Sequence, residues 1–198
     1  LKIRHNGSVI SMAILLAYGV NIEGRREVLG MSASLSEAEV HWREFLKNLQ
    51  SRGMRGLRLI VSDAHEGMRN ARNAVFPSVP WQRCQFHLCQ NAQSYAPKKS
   101  MKGEIAETMR DIFNSPTITI AKEMKRLAIE KYEKKAPEFA KWLEENADEG
   151  LTIYQFPKGH WIKLRTSNGM ERLNREIKRR TRVAVIFPNK ESALRLVT

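Results

Sequence analysis

Apolar and polar positions change period several times along the chain, and each change predicts an element. Asn6-Gly7 separates Leu1 to Arg4 from an apolar run at Val9 to Val20, which predicts a two-residue hairpin. A second turn at Asn21 to Gly24 and an alternating stretch at Arg26 to Ser32 complete a predicted three-stranded antiparallel meander, with Leu1 already inside its first strand. Ser36 and Glu39 have the spacing of a capping box, and Ala38, Trp42, Phe45, Leu46 and Leu49 then keep helical spacing up to a stop at Gly53. Leu57 to Val61 is continuously apolar, as in a centrally buried parallel strand, and ends at Ser62-Asp63. Met68, Ala71 and Val75 predict a short helix, Gln82 to Phe86 a further strand, and His87 to Tyr95 a helix stopped by Pro97.

From Lys99 to Gly150 the pattern becomes wholly helical. Ile105, Met109, Ile112 and Phe113, then Met124, Leu127 and Ala128, then Phe139, Trp142 and Leu143 share faces, with starts at Ser115-Pro116 and Pro137. On a last predicted helix Met170, Leu173 and Ile177 form the apolar side, while Glu171, Asn174, Arg175 and Lys178 share another. The expected organisation is a core at residues 1–97, a helical insertion at 98–158, and completion of the core at 159–198. Three strands, helix, strand, helix, strand and a final helix match the order of an α/β ribonuclease H-like fold, a mixed sheet flanked by helices.

Length allows one domain with a core, or a core with a sizeable insertion. Charge narrows the partners: 34 Lys and Arg against 21 Asp and Glu give +13, which favours a polyanion, with nucleic acid first. Only Cys84 and Cys89 are present, which argues against a disulfide framework and fits a reducing cytoplasm. The run at Val9 to Val20 is too short to span a bilayer and lacks a convincing cleavage site, so it reads as a buried strand.

Several residues carry chemistry in these elements. Asp63 lies where an apolar strand gives way to a loop, the usual place for ligand-binding groups in open α/β sheets; capping the next helix is the alternative. Glu171 is three positions after Asn168, so it fits either a capping box or a metal ligand bordered by phosphate contacts. Cys84 and His87 have the spacing of two zinc ligands but no matching second pair, and a buried Cys beside a hydrogen-bonded His is the alternative. Arg165, Asn168, Arg172, Arg175, Lys178 and Arg179 are candidate DNA contacts, against a solvated basic face. His65 and Trp161 are weaker candidates for the same cleft.

V-S-D-A-H-E-G (Val61 to Gly67), the C-x-x-H of Cys84 and His87, and R-T-S-N-G-M-E-R-L-N-R-E-I-K-R-R-T-R (Arg165 to Arg182) resemble the Mutator-type transposases of bacterial insertion sequences, over nearly the whole chain. The resemblance implies a ribonuclease H-like catalytic domain in which Asp63 and Glu171 are the second and third members of an Asp-Asp-Glu set. It also implies two Mg²⁺ or Mn²⁺ ions, DNA cleavage and strand transfer at transposon ends and target DNA, a homo-oligomer when complete, and a cytoplasmic, nucleoid-associated protein without a membrane anchor. Cys84 and His87 fall on the family signature, which implies a role in orienting the active site or substrate. No Asp occurs between Leu1 and Asp63, so the first acid is expected upstream of Leu1 and residues 1–198 alone are expected to be inactive. A nuclease of the same fold and a noncatalytic DNA-binding derivative are the competing expectations.

Overall fold

A computed structural model describes residues 1–197. The strands and helices are β1 (Lys2–His5), β2 (Ser8–Ser11), β3 (Ala13–Val20), β4 (Arg26–Ser34), α1 (Glu39–Ser51), β5 (Ile60–Ser62), α2 (Glu66–Val75), β6 (Trp81–Arg83), α3 (Gln85–Ser94), α4 (Lys102–Phe113), α5 (Ile118–Tyr132), α6 (Pro137–Asn146), α7 (Trp161–Leu164), α8 (Asn168–Thr181) and α9 (Lys190–Val197). They group into two compact units, one built from Leu1–Leu57, His65–Ser78 and the chain from Asn168 onward, the other from Arg58–Ala64 and Val79–Ser167. The α/β class holds, and among the described residues the hydrogen-bonded strands form three two-stranded sheets.

In the first unit, Asn6 and Gly7 take φ of 48° and 79° and close the β1–β2 hairpin with His5 opposite Ser8. Both residues have the positive φ that an Asn-Gly turn needs. The predicted long buried strand is instead broken at Met12. Its first part pairs with β1 as far as Ser11, and its second pairs with β4 from Ala13. Leu1 and Met12 exchange two backbone hydrogen bonds, 2.7 and 2.8 Å, at the junction. Asn21 holds the second turn through its side chain, accepting from the N–H groups of Glu23 and Arg25.

The Ser36 capping box does not form. Helix α1 begins at Glu39 with Ala38 at its N-cap, so Glu39 sits two positions too early to reach back, and it pairs with Arg43 instead. Phe45, Leu46 and Leu49 bury the inner side of α1, and Gly53, at φ 100°, follows its end. Gly67 in α2 is required by space: a Cβ there would lie 2.3 Å from the carbonyl oxygen of Glu37. Helix α8 buries Ile177 with Leu16 and Val197, and Met170, Leu173 and Met31 pack around them.

In the second unit the two short strands differ from expectation. β5 is shorter and later than Leu57 to Val61, is only half-buried, and has β6 as its one hydrogen-bonded strand neighbour among the described residues. β6 ends at Arg83, and α3 starts at Gln85, because Cys84 turns the chain as N-cap; Phe86 and His87 are therefore helical. Leu88, Ile105, Met109, Ile112, Tyr132, Phe139 and Leu143 join in one core among α3, α4, α5 and α6. Pro137 is the first residue of α6 as expected, whereas Thr117 caps α5 and Ser115 bonds back to Asp111.

The polar residues of W-Q-R-C-Q tie β6 to the chain after α6. Gln82 and Gln85 both donate to the Gly150 carbonyl at 2.8 Å, and Gln82 accepts from the Ile153 N–H. The buried Arg83 guanidinium binds Glu149 at 2.9 Å and Asn146 at 3.0 Å. Most of the buried polar atoms here thereby regain partners, as groups removed from water must, although Arg83 Nε stays without a hydrogen bond.

Candidate functional site

Parallel pairing of β5 with β6 sets Ser62 opposite Arg83, so Asp63 and Cys84 leave adjacent strand ends side by side. The ladder closes with the Cys84 N–H donating to the Ser62 carbonyl at 2.8 Å. Ser62 is fixed further, its hydroxyl accepting from the Trp81 indole at 2.9 Å and donating to the Asp63 carbonyl at 2.7 Å. Asp63 is exposed, and its carboxylate has no hydrogen bond or ion pair among the described residues. The N-cap of α2 is His65, so Asp63 does not cap that helix.

Cys84 is fully buried, and its Sγ accepts from both the N–H and the hydroxyl of Ser167 at 3.4 Å. The Gln85 N–H donates to the Arg165 carbonyl at 2.9 Å. The stretch Arg165 to Ser167, which leads directly into α8, is thus laid against the start of α3. Spacing suggested a metal ligand at Cys84 and the family resemblance an orienting residue; here its Sγ serves as a hydrogen-bond acceptor. Cys84→Ala is expected to lower unfolding free energy by about 1.5 kcal/mol, from a lost acceptor and a small cavity. Urea unfolding reads this, and added Zn²⁺ should leave the wild-type Tm unchanged; a large rise with zinc would contradict the acceptor role.

His87 is half-buried, its Nδ1 is enclosed without a hydrogen-bond partner, and its ring meets the Phe86 ring edge-on at 5.5 Å between centroids. The expected hydrogen-bonded His alternative therefore fails at Nδ1. Both cysteines are free thiols. Burial pushes the Cys89 thiol up to about 11, against the opposing pull of Arg110 and Arg165, so it stays protonated at neutral pH and is a poor metal ligand.

In the first unit, Glu171 lies in the first turn of α8. That helix begins at Asn168 itself, which puts Glu171 one position beyond the third helical residue a capping box requires. Its Oε1 is buried with no hydrogen-bond partner. Close packing sets this turn: a Cβ on Gly169 would approach Tyr18 Cε1 to 3.0 Å. Further along, Arg172, Arg175 and Lys178 are exposed and form no ion pair among the described residues.

Other candidates have structural partners. Arg179 binds Glu176 at 2.6 and 2.9 Å, and Arg180 binds it at 3.0 Å; hydrogen bonds from Arg179 and then Arg180 hold the Glu176 carboxyl down to about 2. The i,i+3 and i,i+4 spacing of these residues is a signal that sequence reasoning passed over. Arg165 donates to Asn114 at 2.7 Å. His65 pairs with Glu37 at 3.5 Å, and the Trp161 indole donates to the Phe156 carbonyl at 2.7 Å. Asn168 is exposed at the start of α8.

A family profile described as "Transposase, Mutator family" matches residues 1–198. The chain belongs to the Mutator family of transposases. It is 48% identical over 197 residues to the transposase for insertion sequence element IS406 of Burkholderia multivorans, covering 100% of this chain and 51% of that protein. The transposase for ISRM5 of Rhizobium meliloti is 37% identical over 196 residues, covering 99% of the chain and 49% of the relative. The transposase for IS256 in Tn4001 of Staphylococcus aureus is 35% identical over 199 residues, covering 100% and 50%. This Mutator-family chain thus spans about half the length of the curated relatives it matches. None of its described helices is long and apolar enough to cross a membrane.

Proposed function

We propose that residues 1–198 are catalytic-region sequence of an insertion-sequence transposase that cleaves DNA and joins the freed end to target DNA, on a ribonuclease H-like framework. Two carboxylates carry the reading: Asp63, unpartnered at a strand end, and Glu171, whose Oε1 is buried without a hydrogen bond. A buried, unpartnered carboxylate oxygen is costly unless a cation or proton meets it, so the donor set fits a hard divalent ion such as Mg²⁺ or Mn²⁺. Asp63 and Glu171 would hold the ions. Bound in pairs, such ions generate a nucleophilic oxygen and neutralise the leaving oxygen at phosphorus. The resemblance makes these two the second and third members of an Asp-Asp-Glu set.

The protein's own groups supply position. Ser62 and the Cys84 backbone fix the turn at Asp63, while the packing of Gly169 and Ile177 fixes the helix that carries Glu171. Arg172, Arg175 and Lys178 grip phosphate oxygens, and the complete protein acts on transposon ends and target DNA as a homo-oligomer in the bacterial cytoplasm.

Binding through phosphates predicts weak sequence preference and a steep fall in affinity with salt. Reversing Arg175 or Lys178 to Glu should reduce affinity about tenfold at low salt and flatten the salt slope, whereas reversing Lys134 or Lys135 should have little effect. Anisotropy titrations at several salt concentrations test this. Equal losses at both sets of residues would move the DNA path to the helices of the second unit.

A further inference from the structure

Immediately beyond α8 the chain forms a short tip with an unusual surface. Val183 and Val185 are 87% and 78% exposed, and Ile186 is also exposed. The tip is held at both ends. On one side the N–H groups of Val183 and Ala184 donate to the carbonyls of Arg180 and Thr181 at 3.4 and 3.2 Å. On the other, buried Phe187 bridges to Ile3, with its N–H donating to the Lys2 carbonyl and its own carbonyl accepting from the Arg4 N–H, both at 2.9 Å. Ala184 packs into the core beneath, between the two exposed valines.

Exposed apolar side chains on an anchored tip favour a partner that covers them. Charge selects its class. Lys2 and Arg4 are exposed on the strand bonded to the tip, and Lys178 and Arg182 are exposed on and just after the helix that leads into it. Glu176 is the one acid on the last two turns of α8. An apolar point inside a cationic rim matches duplex DNA, where basic residues hold the phosphates and apolar side chains enter the minor groove and part a base step.

We infer that Val183 and Val185 form an apolar wedge that opens a base step of the duplex bound along α8. The inference rests on the DNA-binding reading of that helix and adds a distorting function to it. Parting a step costs stacking energy, so a wedge binds better where stacking is already broken.

The test compares the complete transposase with its Val183→Ser/Val185→Ser and Val183→Leu/Val185→Leu forms. Affinity is measured for a matched duplex and for the same duplex with a central mismatch flanked by 2-aminopurine. Wild type should favour the mismatched duplex about tenfold and raise the 2-aminopurine fluorescence. The serine form should lose the preference and the fluorescence change while keeping its matched-duplex affinity and salt slope; the leucine form should retain both wedge signals. Both side chains are exposed, so a shared far-ultraviolet circular dichroism spectrum is expected. Wild type binding without preference for the mismatch, or a serine form that still shows it, overturns the wedge and leaves α8 as a backbone contact. Failure of wild type to bind either duplex overturns the DNA-binding reading itself.

Discussion

Glu171→Gln in the complete transposase is expected to lower Mg²⁺-dependent DNA cleavage by more than about 100-fold while leaving DNA affinity and thermal stability close to wild type. The amide keeps the size and the hydrogen-bonding reach of the side chain but loses its negative charge. A helix-start role would survive that exchange, because Gln serves a capping box as well as Glu. A cation-holding role would not. The start of α8 at Asn168 and the buried, unpartnered Glu171 Oε1 are the reasons for expecting that loss. Full cleavage by the Gln form would return Glu171 to a structural part.

Arg83→Ala is expected to have the largest effect on stability, a loss of about 3 kcal/mol in unfolding free energy. Its guanidinium is almost wholly buried and binds both Glu149 and Asn146. Removing it leaves the Glu149 carboxylate without this partner and opens a cavity beside Gln82 and Cys84, both fully buried. Since β6 and α3 also position the turn at Asp63, activity should fall with the folded fraction. Chemical denaturation of Arg83→Ala against wild type checks the size of the loss; a change under about 0.5 kcal/mol would mean the pair is worth no more than a surface bridge.

Local signals in the sequence carried much of the architecture. Asn6-Gly7 specified its turn because only a few residues take positive φ cheaply, and the helices between residues 102 and 146 followed their apolar spacing. Strand limits were less legible. Periodicity did not show that one apolar run would be divided at Met12 between two partners, since it reports the faces of a strand and not its neighbours. Nor did it show that Cys84 would end β6 and start α3, because the turn is held by Ser62, Arg165 and Ser167, residues far away in the chain.

The candidate site divides in the same way. The placement of Asp63 just after a strand and of Glu171 in the first turn of a helix was legible from the pattern of the neighbouring elements. The partners of Arg165 and Arg179 differ in legibility: Asn114, which binds the first, is distant in sequence, while Glu176, which binds the second, is within helical reach. The structural work of Gln82, Arg83 and Gln85 was illegible, since their partners lie more than sixty residues away.

The joining step is the most direct test of metal-dependent DNA chemistry by this family member. A pre-cleaved transposon end with a free 3′-hydroxyl is incubated with target plasmid, the complete transposase and Mg²⁺, and joined product is counted against an Asp63→Asn control of matched DNA affinity. Joined product should form with wild type, vanish when Mg²⁺ is chelated, and be absent with Asp63→Asn; equal joining by wild type and Asp63→Asn, or joining that persists in chelator, would contradict the account.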